Sequence, residues 1–285
     1  MAKVNDDYPG KPISDQKLKE MATRQYDNKE SEEVKAFDFP TEIVELPSKG
    51  KFYPVDHVLS KGTIEMKYMS AKEEDILTNQ SFIKNGVVLD KLFRSLIVTD
   101  VDYNDLLICD KNAIMIAARI LGYGKDYQCK VINPDTGDEV EANIDLTDLK
   151  EKEIDWSLIK DGQSEFEMTL PVSNRKVKLK MLTQGDQNKI DKETKGLKKL
   201  KRDAAATTLL KYIIIELDDD SDKAKIRKFV DRELLAIDSR AIRQYLRSIT
   251  PDIDLKVDVP DEETGDTFRT SINIGLDFFW PDVEI

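Results

Sequence analysis

Hydrophobic and polar positions along the chain follow one pattern twice. Thr63-Ile64-Glu65-Met66-Lys67-Tyr68-Met69 alternates polar and apolar, the period of a half-buried strand. Ser70-Ala71-Lys72-Glu73 places a hydroxyl three residues ahead of a glutamate, which predicts a helix opened by a capping box. Asn85-Gly86 ends that helix, and Val88, Leu89, Leu92, Phe93, Leu96 and Ile97 then recur at helical spacing. The second occurrence is weaker in its signals. Val177 to Leu182 reads as the strand, Thr183-Gln184-Gly185-Asp186 as the helix start, and Leu209, Leu210, Ile213 and Ile214 as the apolar helix positions.

Each occurrence continues into a helix and a hairpin. Asp110 is expected as the N-cap of a helix over 111–121 ended by Gly122, and Asp238 as the N-cap of a helix from 239 to about 249 ended before Thr250-Pro251. Arg119 and Arg247 stand nine residues past these caps, in the last turn, where a cation is favoured. Strands over 128–132 and 139–146 flank one turn, and strands over 255–259 and 267–274 flank the other. Gly137-Asp138 and Gly265-Asp266 close the turns, the glycines supplying positive φ. Residues 106–146 and 234–274 align without a gap at 12 identities in 41 positions, where unrelated sequences give about two or three. The expected fold is therefore α+β, two tandem copies of a strand-helices-hairpin module.

The remaining stretches frame these copies. Residues 1–38 are polar and charged and cannot bury enough surface to offset an ordering cost of ~1–2 kcal/mol per residue, so they read as a flexible arm, either idle or ordered by a partner. Residues 39–63 are proline-framed. Leu46-Pro47-Ser48-Lys49-Gly50-Lys51-Phe52-Tyr53-Pro54 predicts a strand, a tight turn and a second extended piece. The first module is assigned to 64–155 and the second to 156–285, the latter carrying an inserted basic helix near 191–207. The chain closes on Phe278-Phe279-Trp280, which either packs back on the second module or anchors in a neighbour.

Composition narrows the function. A formal net charge of -12 argues against general nucleic-acid or anionic-membrane binding and leaves proteins as the expected partners. Two cysteines, Cys109 and Cys129, are too few for a disulfide framework or a zinc ribbon and point to a reducing compartment. The start of the chain lacks the apolar core of a signal peptide, and no run approaches the ~20 apolar residues of a membrane span.

Candidate chemistry is thin. Asp218, Asp220 and Asp222 imitate the start of a calcium loop, but Lys223 stands where glycine is needed and Phe229 where glutamate is needed, so a solvated loop capping the next helix is the better reading. The basic run Lys192, Lys195, Lys198, Lys199, Lys201 and Arg202 is interleaved with Asp191, Glu193 and Asp203, which favours a solvated helix face over a nucleic-acid patch. His57 is the single histidine, expected to be exposed, and no phosphate-binding glycine loop is present. The pairs Asp110/Arg119 and Asp238/Arg247 look like a twin active site, yet capping and helix-end charge explain both copies. No enzyme activity, cofactor or metal is expected.

Several segments carry a family resemblance. They are Leu46 to Pro54, then Glu73-Glu74-Asp75-Ile76-Leu77 with Gly86-Val87-Val88-Leu89-Asp90, then Asp105-Leu106-Leu107 through Arg119 with Tyr123-Gly124, and finally Ile144-Asp145-Leu146. Over about residues 40–150 the chain resembles the baseplate hub subunit and hub-assembly proteins of T-even-type contractile-tailed bacteriophages. The resemblance implies a nonenzymatic protein that builds, or helps to build, the central hub of the tail baseplate, with other baseplate or hub proteins as partners. It implies residence in the host cytoplasm during assembly and in the virion tail baseplate if the protein is retained. Two roles stay open, a stoichiometric component and an assembly factor that leaves; a third, nucleic-acid binding through the basic helix over 192–202, is kept as an alternative. Contacts are expected through Leu46, Pro47, Lys49, Gly50, Phe52, Tyr53, Pro54, Phe278, Phe279 and Trp280.

Overall fold

The computed structural model describes residues 39–199, 204–260 and 265–279. The expected arm over 1–38, the centre of the second hairpin turn and Trp280 lie outside the described residues, as do Lys201, Arg202 and Asp203 at the end of the basic run. The architecture is α+β, a set of helices packed with small antiparallel sheets.

β1 (Thr41–Glu45) pairs antiparallel with β2 (Thr63–Lys67), Thr41 opposite Lys67 and Glu45 opposite Thr63. The alternation in β2 works as the pattern implies, Ile64 and Met66 being buried and their neighbours half-buried. The second extended piece expected after Gly50 does not form. Lys49 and Gly50 take φ of 50° and 73°, which turns the chain back, and residues 47–62 wrap into a compact loop ending in a 3-10 turn at Val58–Lys61. The Leu46 amide donates to the Gly62 carbonyl and shuts the loop.

α1 (Ala71–Thr78) opens as predicted. The Ser70 amide donates to Glu73 Oε2 at 3.0 Å, and Lys67 Nζ lies 3.0 Å from Glu73 Oε1. The single helix expected up to Asn85 is two, because the Asn79 side chain accepts from the Ser81 and Phe82 amides and starts α2 (Gln80–Asn85). α3 (Val88–Leu96) buries Val88, Leu92, Phe93 and Leu96. α4 (Lys111–Tyr123) passes through Gly122, where a Cβ would sit 3.0 Å from the Met69 side chain, and stops at Gly124 with φ 86°. Gly122 serves close packing rather than termination. β3 (Asp126–Ile132) and β4 (Glu139–Asp145) form the first hairpin, with Gly137 at φ 82° in its turn.

The second half begins with β5 (Lys150–Glu151), then β6 (Glu165–Thr169) and β7 (Lys176–Lys180), an antiparallel pair. α5 (Gln184–Lys199) runs unbroken through Lys192, Lys195, Lys198 and Lys199. α6 (Ala205–Ile213) ends where Ile214 starts β8 (Ile214–Leu217), which joins β7 in a three-stranded sheet. The sequence pattern assigned Ile214 to a helix; the sheet edge claims it. α7 (Lys223–Arg232) is capped by the Asp222 side chain, and α8 (Ala236–Ile249) follows. β9 (Ile253–Asp254) pairs with β5, and β10 (Lys256–Pro260) with β11 (Thr267–Ser271).

Two hydrophobic clusters result. One gathers β2, α1, α3, α4 and both hairpins, and draws Phe166, Met181 and Ile249 from the second half. The other packs Leu179, Leu210, Ile214, Ile226, Phe229 and Ile242. Tyr245 and Leu246 touch both. Phe278 and Phe279 pack into the first cluster. Phe278 lies edge-on to Tyr127 at 4.8 Å and Phe279 lies 6.4 Å from Phe93, both fully buried in the first cluster. Arg119 holds them there, its Nε donating to the Phe278 carbonyl at 3.1 Å. Truncation of Phe279 to alanine is expected to lower stability by about 3–5 kcal/mol, read as a shifted urea midpoint with an unchanged slope.

Candidate functional site

The residues singled out by the sequence converge on a buried carboxylate. Asp110 precedes α4, but its side chain does not cap that helix. Oδ1 accepts from the Ser48 amide at 2.9 Å, and Oδ2 from the Ser48 hydroxyl and the Tyr53 hydroxyl at 2.8 Å each. The Tyr53 hydroxyl in turn accepts from the Leu107 amide at 3.0 Å. Burial pushes the Asp110 pKa up to about 6, against the pull of the bonds from Ser48 and Tyr53. Burial and the adjacent Asp110 charge raise the Tyr53 pKa far enough to keep the phenol protonated.

The loop around this carboxylate is built from the inside. Leu46, Pro47, Gly50, Phe52 and Tyr53, expected as contacts with a neighbour, are buried within the chain and form the loop itself. Phe52 packs against Trp156 and Phe166 at 6.2 and 6.0 Å between ring centres. Gly50 is required twice over, by its φ of 73° and because a Cβ would stand 2.2 Å from the Ser60 carbonyl oxygen. His57, expected to be exposed, is half-buried, stacked on Tyr53 at 5.1 Å while its Nδ1 accepts from the Leu59 amide. Lys49, Pro54 and Val55 remain exposed at the rim. The Lys49 ammonium sits over the Trp156 ring at 5.2 Å and 3.1 Å from Glu151.

Asp238 occupies a related position in the second half. It stands inside the first turn of α8, not at its cap, because its oxygens accept from the turn after β6: the Val172 amide at 2.9 Å and the Ser173 amide at 3.1 Å. Burial pushes its pKa up, but the bonds from Val172 and Ser173 outweigh this and hold it below 3.8. Arg119 is buried and bonds the Phe278 and Gly124 carbonyls, with Tyr123 and Tyr127 at 5.0 and 5.7 Å from its guanidinium carbon. It is no exposed helix-end cation. Arg247 lies in the last turn of α8 and is exposed, as are Asp138 and Asp266 in the hairpin turns. Asp110 and Arg119 thus engage different partners and form no pair.

Other candidates resolve structurally. Asp218 binds Arg175 and the Lys176 amide, Asp220 binds Lys225 at 2.8 Å, and Asp222 caps α7. Among the described residues no group of three or more His, Cys, Asp or Glu could hold a metal ion. Cys109 and Cys129 are free thiols, their pKa values raised by burial. On α5, Lys192, Lys195, Lys198 and Lys199 are exposed, while Glu193 pairs with Arg227 at 2.7 Å. Among the described residues no helix is long and apolar enough to cross a membrane. A groove of about 810 Å³ runs between β3, β4 and β11, lined by Gln128, Lys130, Asn143, Thr270 and Asn273 among others.

Residues 39–280 match the family model described as T4 bacteriophage base plate protein. The chain belongs to this family. The match to the base plate family spans both halves, and therefore both aspartate anchors, where the resemblance read from the sequence covered about residues 40–150. No curated protein matches the chain, and no solved structure does.

Ser48 and the Leu107 amide are the parts of the site that sequence reading missed. The one available signal was a hydroxyl next to Pro47 and Gly50, which marks a turn but not its distant partner. Because the folded pKa of Asp110 is raised from 3.8 to about 6, its contribution to stability is full below pH ~4 and falls as pH rises through 6, by on the order of 3 kcal/mol. The stability advantage of the natural chain over Asp110→Asn should therefore shrink between pH 4 and pH 7 in urea titrations; a constant difference would contradict the raised pKa. Gly50→Ala should cost more than ~2 kcal/mol, since strained φ and backbone overlap add, with the midpoint of thermal unfolding as readout.

Proposed function

We propose that this base plate family protein is a nonenzymatic structural component of the central hub of a contractile phage tail, acting through contacts with other baseplate or hub proteins during tail assembly. It would be made in the host cytoplasm and reside in the virion tail baseplate, as part of a hetero-oligomer. The family match over residues 39–280 carries this reading. The carboxylates of Asp110 and Asp238 and the Arg119 guanidinium support it, since each is bound to groups that hold the fold.

The reading includes a duplicated module, and paired details support it. Asp110 and Asp238 each accept the amide of the second residue after a leucine, in Leu46-Pro47-Ser48 and Leu170-Pro171-Val172. Ser70 and Glu73 open α1 with Lys67 on the glutamate, while Thr183 and Asp186 open α5 with Lys180 on the aspartate at 2.6 Å. Gly137 and Gly265 both take positive φ in their hairpin turns. Lys49, Pro54 and Val55 are the exposed rim of the proline-framed loop and the part of it open to a neighbour.

An assembly factor that leaves before completion is the competing role, and the two separate in one measurement. Mass spectrometry of purified particles should recover peptides of this chain at a fixed ratio to other baseplate proteins. Their absence would replace the component reading with the assembly factor.

A further inference from the structure

The two halves meet at a short antiparallel contact. Leu107 bridges Thr183, the Ile108 amide donates to the Leu182 carbonyl at 2.9 Å, and the Gln184 amide donates to the Leu106 carbonyl at 2.7 Å. Leu107 and Cys109 are 4% and 5% exposed. Their counterparts at the shift of the repeat are Leu235 and Ile237, and these are 44% and 62% exposed. Beside them lies Val172 at 47%, fixed by its amide on Asp238, with exposed Pro171 and Ala236 completing an apolar patch. The Leu234 carbonyl and Ala236 amide, counterparts of the groups that form the internal contact, have no hydrogen-bond partner among the described residues.

The other side of the contact is also left over once. Leu182-Thr183-Gln184 corresponds to Met69-Ser70-Ala71, and neither the Met69 carbonyl nor the Ala71 amide is hydrogen-bonded among the described residues. Each molecule therefore uses one edge of each kind internally and keeps one of each kind open. We propose that Met69–Ala71 of a second copy of this chain docks on the open edge at Leu234–Ala236, covering Val172, Leu235 and Ile237. The inference rests on the duplicated-module reading, because the internal contact is the template for the external one.

Charge is complementary away from Lys72 and Arg232, which fall at corresponding positions with the same sign. Exposed Arg232 and Arg240 flank the patch, and α1 brings exposed Glu74 and Asp75 in its first turns. One feature of the template cannot be repeated. Gly185 packs so closely that a Cβ would lie 3.2 Å from the Asn104 carbonyl oxygen, and Lys72 and Arg232 stand at the corresponding positions. The contact between copies thus depends on the backbone edge and the apolar patch rather than on close helix approach. It joins unlike surfaces, so it generates a ring if the rotation closes and an open chain if it does not.

A photo-crosslinking benzoylphenylalanine at position 237 of the full chain tests this, since that side chain points to solvent. The expected product is a covalent dimer whose second peptide contains residues 69–75. Sedimentation velocity should show concentration-dependent association, weakened roughly tenfold or more by Ile237→Glu and likewise by Ala71→Pro, which removes the donor N–H at a first helical position that tolerates proline. An equimolar mixture of the two variants should give a discrete dimer, because each keeps one intact edge. A monomer at all concentrations, or a crosslink to any other peptide or protein, would overturn the inference. Recovery from particles is read separately, so a monomeric protein found in the baseplate would remove this contact and leave the structural role standing.

Discussion

The carboxylate of Asp110 is the constraint from which the packing of the first half follows. A charge of this kind is costly to bury unless donors converge on it, and three do, two from Ser48 and one from Tyr53. Those donors come from a loop 57 to 62 residues earlier in the chain, so the bond set ties residues 47–62 to the start of α4. The Tyr53 hydroxyl extends the set to the Leu107 amide, and Leu107 is the residue that bridges to Thr183. Loop, helix start and the junction between halves are thereby one hydrogen-bonded unit. Such a network is strong while complete and weak once a member is lost.

The second half uses a related anchor with a different result. Asp238 receives two amides from a short turn, with no counterpart to the long loop that lays Phe52 and Tyr53 over Asp110. The difference shows in the electrostatics, since burial wins at Asp110 and hydrogen bonding wins at Asp238. It shows equally in the surface. The first half closes over Leu107 and Cys109, whereas the second leaves Leu235 and Ile237 in solvent. For a member of a base plate family, an apolar patch left in solvent is a more informative feature than any single reactive group.

The sequence by itself determined the elements whose causes are local. The strand at Thr63, the capping box at Ser70, the Asn85-Gly86 stop and both hairpins with their positive-φ glycines all depend on residues within a few positions of one another. The α+β class follows from those elements. Only the tertiary structure decided what the polar anchors do. Asp110 and Asp238 read as helix caps because capping is the local use of an aspartate, but partners 62 and 66 residues away claim their oxygens. Arg119 read as a helix-end cation, and a C-terminal carbonyl 159 residues away takes its Nε. Ile214 left a helix for a sheet edge, and Phe278 and Phe279 crossed to the first cluster. In each case the deciding free energy is burial together with pairing of a polar group, which depends on which distant surfaces meet, and residue spacing along the chain does not encode that.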